Sequence, residues 1–182
     1  MRKVILSSIL AVGLISGLNA YELDGDLGIK WTGFKTAKKV GVSGTFKDVK
    51  LDIQKADKLA DFLKSAKVEI DTMKINSKLP MRDKNITSTI FSLASAKTVK
   101  GTISKVDEAK KELTLDVTMN GVTKQIPMTY TLSGGKIVAK GTLEILDFKL
   151  KSSFEAFAKK CRGFHAGKTF SDVDVEFTLP YK

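Results

Sequence analysis

The chain has 182 residues, 42% of them hydrophobic, with 31 lysines and arginines against 20 acidic side chains and a formal net charge of +11. A single cysteine excludes an internal disulfide, so the fold must rest on packing. The positive charge is almost all lysine, which suits a solvated exterior or an anionic surface; without an aromatic-basic recognition motif, nucleic acid is not an expected partner.

The first twenty residues, MRKVILSSILAVGLISGLNA, have a basic start at Arg2 and Lys3, a short apolar run, and small residues leading to Ala20. That layout predicts a cleavable secretory signal rather than a membrane anchor, because the run is short and broken by serine and glycine. Removing it takes away two basic residues, leaving 29 basic against 20 acidic side chains, a charge of +9. Residues 21–182 then form one domain, long enough for a proper core.

LDGDLGIKWTGFKT alternates, with Leu27, Ile29 and Trp31 on one side, and KKVGVSGTFKDVKLDI continues with Val40, Val42, Gly44 and Phe46, then Val49, Leu51 and Ile53. Gly41 and Gly44 suggest a bend or a close approach. Residues 55–66 change to a helical period, and 68–76 return to alternation. KLPMRDKNITSTIFSLASA is irregular, with one helical turn expected near Thr87–Leu93. TVKGTISKV is a strand that ends at the charged turn DEAKK.

The segment LTLDVTMNGVTKQIPMTYTLSGGKIVAKGTLEI, residues 113–145, carries the strongest local signal. Asn120-Gly121 and Gly134-Gly135 each fit a two-residue hairpin turn, which needs positive φ at both positions. Counting outward sets Leu115 opposite Ile126, Leu113 opposite Met128, Tyr130 opposite Ala139, and Met128 opposite Gly141. Opposed residues share a side of the sheet, and both hairpins put the apolar set on the same side. Lys124, opposite Val117, is the exception. Large residues facing small ones suit a curved interior. A second short helix over 154–161 and a last strand, DVDVEFTL, complete the chain.

Eight or nine strands with hairpin turns and two helical interruptions predict an all-β antiparallel fold, either a closed barrel or a sandwich; long alternating strands with small inner residues favour the barrel. A barrel of about eight strands is filled by side chains or holds one slender ligand.

WTGFKTAKKVGVSGTFKDVKLDI, the central RDKNITSTIFS with Arg82-Asp83, the hairpin MNGVTKQIPMTY and the LDF at 146–148 together resemble the YceI family of periplasmic, lipocalin-like proteins. The tail SSFEAFAKKCRGFHAGKTFSDVDV is similar to that of a subgroup with a Cys and a His one helical turn apart. The resemblance implies an eight-stranded lipocalin-like barrel around an apolar tunnel, a periplasmic location, and a long-chain lipid or isoprenoid as ligand. The face at Leu113, Leu115, Val117, Ile126, Met128, Tyr130, Leu143 and Ile145 would line that tunnel, completed by Trp31, Phe46, Leu51, Ile70 and Ile103. A dry, filled core would show the same alternation.

Three polar residues are candidates for a mouth. Arg82 and Asp83 could hold a head group, although such pairs more often tie down a loop. Lys124 could do the same, or reach out to solvent near a barrel end. Cys161 and His165 lie four apart and could share a helical face as half of a metal or redox site. Two ligands are too few for zinc, and a buried thiol beside Phe154, Phe157 and Phe164, with His165 at the rim, is the preferred reading. No GxSxG, HExxH or phosphate-cradling glycine loop occurs, so binding rather than catalysis is expected, with no cofactor. Two alternatives stay open: an exported module with a filled core that docks through its lysines on an anionic membrane surface or a partner, and a Cys/His-linked metal or redox role. A homodimer is equally compatible with the sequence.

Overall fold

The computed structural model describes residues 20–182; the segment read as a secretory signal lies outside them, apart from Ala20. Ten strands form one antiparallel sheet: β1 (Gly28–Lys35), β2 (Val40–Phe46), β3 (Lys50–Asp52), β4 (Lys67–Asp71), β5 (Ile75–Asn76), β6 (Thr98–Asp107), β7 (Glu112–Met119), β8 (Val122–Ser133), β9 (Lys136–Glu144) and β10 (Thr169–Pro180). Their order is β3-β4-β6-β7-β8-β9-β10-β1-β2-β5. Three α-helices interrupt them: α1 (Leu59–Ser65), α2 (Pro80–Ile86) and α3 (Lys151–Lys160). The architecture is the expected curled, lipocalin-like antiparallel sheet with few short helices. It has ten strands rather than eight because two edge pieces, β3 and β5, are only three and two residues long.

The hairpin register is the one counted from the turns. Leu115 pairs with Ile126, Leu113 with Met128, Tyr130 with Ala139, and Met128 with Gly141. Asn120 and Gly121 have φ of 50° and 71°, and Gly134 and Gly135 have 56° and 69°, as a primed turn requires. The last strand, β10, lies between β9 and β1 and joins the meander to the start of the domain.

The ladder does not close between β3 and β5. The covalent chain crosses that seam instead: β2 pairs with β1 and β5, then the backbone passes through residues 47–49 and pairs with β4 as β3. The alternating run at 68–76 is therefore not one strand. It splits at a 3-10 turn (Thr72–Lys74) into β4 on one side of the seam and β5 on the other.

The two ends of the curled sheet differ. At one, Tyr21 bridges to Ala56 and Leu23 to Tyr181, and Tyr21 stacks on Phe62 of α1 and tilts against Tyr181. Phe62, Leu63, Ile137 and Ala139 have no exposed surface, and Tyr130, Leu113 and Leu179 have almost none. At the other end sit α2 and α3. Pro80 opens α2 in the first turn, where its missing N–H costs nothing. The helix then widens into a π-helical stretch (Thr87–Phe91). There Thr87 Oγ1 and Thr89 Oγ1 donate back to the carbonyls of Asp83 and Asn85 at 2.9 and 2.6 Å, which loosens the ordinary ladder.

Candidate functional site

Between the sheet and α2 and α3 lies an elongated cavity of about 260 Å³, slightly below the roughly 300–1,000 Å³ of pockets that hold drug-sized ligands. Its axis can be read from one strand. Leu27, Ile29, Trp31, Gly33 and Lys35, every second residue of β1 and its lead-in, all reach the wall. At about 3.3 Å per residue that path is roughly 26 Å long. A long, narrow, apolar space is shaped for a chain molecule rather than a compact one.

Ten of the thirteen expected wall residues are there: Trp31, Phe46, Leu51, Ile70, Ile103, Leu115, Val117, Met128, Leu143 and Ile145. Three are not. Leu113 and Tyr130 are buried in the filled end near α1, and Ile126 is buried beside Gly141, where a Cβ would come within 3.4 Å of its methyl group. All three point inward as the register requires, but they meet other side chains rather than open space. Burial pushes the Tyr130 phenol above its ordinary value, so the hydroxyl stays un-ionised.

The wall also holds residues beyond those expected from the sequence. Val173, Val175, Phe177 and Leu179 form the inward set of β10, and their alternation in DVDVEFTL is the signal that marks them. Ile86 and Ile90 come from α2 and its π-helical extension, and Phe154 and Phe157 from α3. The spacing of Ile86 and Ile90 is helical, but the polar residues between them resemble a loop and hide their shared inward face. Of the two glycines on the wall, a Cβ added at Gly101 would meet Leu115 at 3.6 Å, whereas one added at Gly33 would meet nothing within 4 Å.

Besides Lys100 and Glu176, which are engaged by Glu69 and Lys140, the charged residues on the wall stand where β1 meets the helices. Lys35, Arg82 and His165 line this end and are all partly buried. Lys35 Nζ donates to the Phe164 carbonyl and Arg82 Nη1 to the Ser77 carbonyl, both at 3.4 Å. His165 shares a hydrogen bond of 2.7 Å between Nδ1 and Thr169 Oγ1, and its ring meets Phe157 edge-on. Burial, then Lys35, then Arg82 hold the imidazole below its ordinary pKa, so near neutral pH it is uncharged.

The other polar candidates have local duties. The Asp83 carboxylate accepts from the Ser77 N–H at 2.9 Å and from the Ser77 hydroxyl, which ties down the loop before α2. Asp83 is off the cavity wall. Lys124 sits opposite Val117 as counted, half-buried, two residues past the β8 start, and also off the wall. Cys161 is 3% exposed, and burial raises its thiol pKa, so it is a poor nucleophile. The His165 backbone N–H donates to the Cys161 carbonyl, but among the described residues no three His, Cys, Asp or Glu side chains gather where a metal could sit. Phe164, expected beside the thiol, is 59% exposed instead.

Residues 18–180 match the model of the YceI-like domain family. Among solved structures, the chain is similar to a polyisoprenoid binding domain from Saccharophagus degradans implicated in plant cell wall breakdown, at 18% identity and a TM-score of 0.60 over 90% of this chain and 98% of that one. It is also similar to BcnA of Burkholderia cenocepacia, at 14% identity and TM-score 0.59 over 87% and 98% of the two chains. A third likeness is to the YCEI protein of Campylobacter jejuni, at 19% identity and TM-score 0.55 over 79% and 86%. No curated protein matches the chain.

Proposed function

The chain belongs to the YceI-like domain family, and from that premise we propose that it is an exported, periplasmic carrier of one long-chain amphiphile, an isoprenoid, quinone or fatty-acid derivative. The observation that carries this reading is the narrow apolar cavity running the length of β1. Each methylene removed from water there contributes roughly 0.8 kcal/mol. A long tail is therefore held firmly with no strong polar contact, and the narrow bore admits one chain at a time. The signal-like residues 1–20 support export. The polyisoprenoid-binding neighbour supports a lipid ligand by its name. Binding, not catalysis, is the role the wall suits, since its groups are almost all hydrocarbon.

The test is extraction of gently purified protein with organic solvent, followed by mass spectrometry, and then re-loading of the emptied protein. A long-chain amphiphile in the extract is the expected result. An empty extract together with no uptake of added isoprenoid or fatty-acid derivatives would remove the carrier reading. Gly33→Phe is the matched control. Its ring grows into open space on the wall, so the protein should fold and take up far less ligand. Unchanged uptake by that variant would place the ligand elsewhere.

A further inference from the structure

We propose that the α2/α3 end of the cavity is an anion site, and that the amphiphile carries an anionic end group, a phosphate or a carboxylate, seated between Lys35 and Arg82. The proposal rests on the carrier reading and adds the head group to it.

The geometry of β1 is the starting point. Its wall residues are apolar from Leu27 to Phe34, and the next residue on the wall is Lys35, at the irregularity where β1 shifts register against β10 between Gly33 and Lys35. Lys35 is partly buried, and its ammonium lies at the solvent-exposed edge of that hydrocarbon wall. Arg82 reaches the same wall from α2. Neither cation takes part in any ion pair found among the described residues, each of which joins a different lysine to a carboxylate. Asp83, the acid next to Arg82, is occupied by Ser77.

Each cation has donors to spare. Lys35 places one of three on the Phe164 carbonyl, and Arg82 one of five on the Ser77 carbonyl, both at a long 3.4 Å. His165 stands with them on the wall, and the charged groups that act on it are Lys35 and Arg82; the carboxylate residue on the wall, Glu176, is engaged by Lys140. A cleft of one charge sign with low-dielectric walls focuses its field on an incoming counter-charge. The cavity thus has a hydrocarbon length and a cationic end, the complement of a fatty chain with an acidic head.

Three ligands of one chain length separate head from tail: hexadecyl phosphate, hexadecanoate and hexadecanol. Their affinities for the emptied full-length protein would be read by displacement of a fluorescent apolar probe. Both anions should bind more tightly than the alcohol, by roughly tenfold for one charged hydrogen bond, and lose that advantage as salt rises. The tighter of the two anions identifies the end group. Lys35→Gln should weaken the anions by about the same factor and leave the alcohol unchanged, with Lys35→Arg restoring them. Arg82→Lys, which keeps the charge and removes the planar fork, should weaken the anions by less. Equal affinity for all three ligands, or an equal loss for all three in Lys35→Gln, overturns the anion site while the carrier reading stands. Failure of all three to bind the unaltered protein overturns both.

Discussion

A Cβ added at Gly44 would overlap Cζ2 of Trp31 and stand 2.7 Å from its Cε2 and 2.9 Å from the Asn76 carbonyl oxygen. The indole lies over that glycine, across the strand pair in which Trp31 faces Gly44. This lets a large ring join the wall of the cavity without filling it. Gly44→Ala should therefore cost about 1–3 kcal/mol, the usual range for overpacking a well-fitted site, measured as a lower denaturant midpoint with unchanged slope. Gly141 holds the equivalent place under Met128, whose Cγ would stand 2.9 Å from a Cβ added there. Both contacts are legible in the sequence as types, a close approach at Gly44 and a large residue against a small one at Gly141. Which inward residues face open space is not. Leu113 and Leu115 alternate identically, yet only Leu115 borders the cavity, because the filling of the far end by Phe62 and Tyr21 is set by a helix and a terminal segment distant in sequence.

The hairpin β7–β8 shows what is legible at the level of elements. Its turn chemistry and alternation are local, so counting from Asn120-Gly121 places every pair correctly. The same Asn120 does more than turn the chain. Its Nδ2 donates to the Phe148 carbonyl at 3.0 Å, and its Oδ1 accepts from the Ser95 N–H at 3.1 Å. The turn is thereby pinned to two segments beside the helical end. Asn120→Ala loses both bonds and leaves a non-glycine residue at positive φ. A cost of about 2 kcal/mol is expected at roughly 1 kcal/mol per hydrogen bond, visible as a lower melting temperature. Less is legible where pairing partners are remote. The break of 68–76 into β4 and β5 depends on which strands flank the seam, and no local period records that. The helix over 80–91 is masked by its threonines and serine, residues that usually mark loops but here bond back onto helix carbonyls.

Taken whole, the molecule is a sheet packed solid at one end and hollow towards the other, so its stability should respond to what fills the hollow. A ligand present at a hundredfold excess over its dissociation constant adds about 2.7 kcal/mol. For a domain of this size that raises the melting temperature by roughly 5–10 °C, read by calorimetry before and after re-loading; no rise would mean that the chain does not occupy the folded protein. The seam has a separate consequence. A sheet whose ladder stays open normally presents two long rows of unpaired amides, ready to recruit another chain and grow into fibrils. Here the two outermost strands, three and two residues long, are too short to template such growth. Lys50, engaged with Glu69, adds a charge on one border, and Lys74, engaged with Asp48, adds another next to the second. The protein can thus leave a gap in its circumference and still be stored at high concentration without polymerising edge to edge.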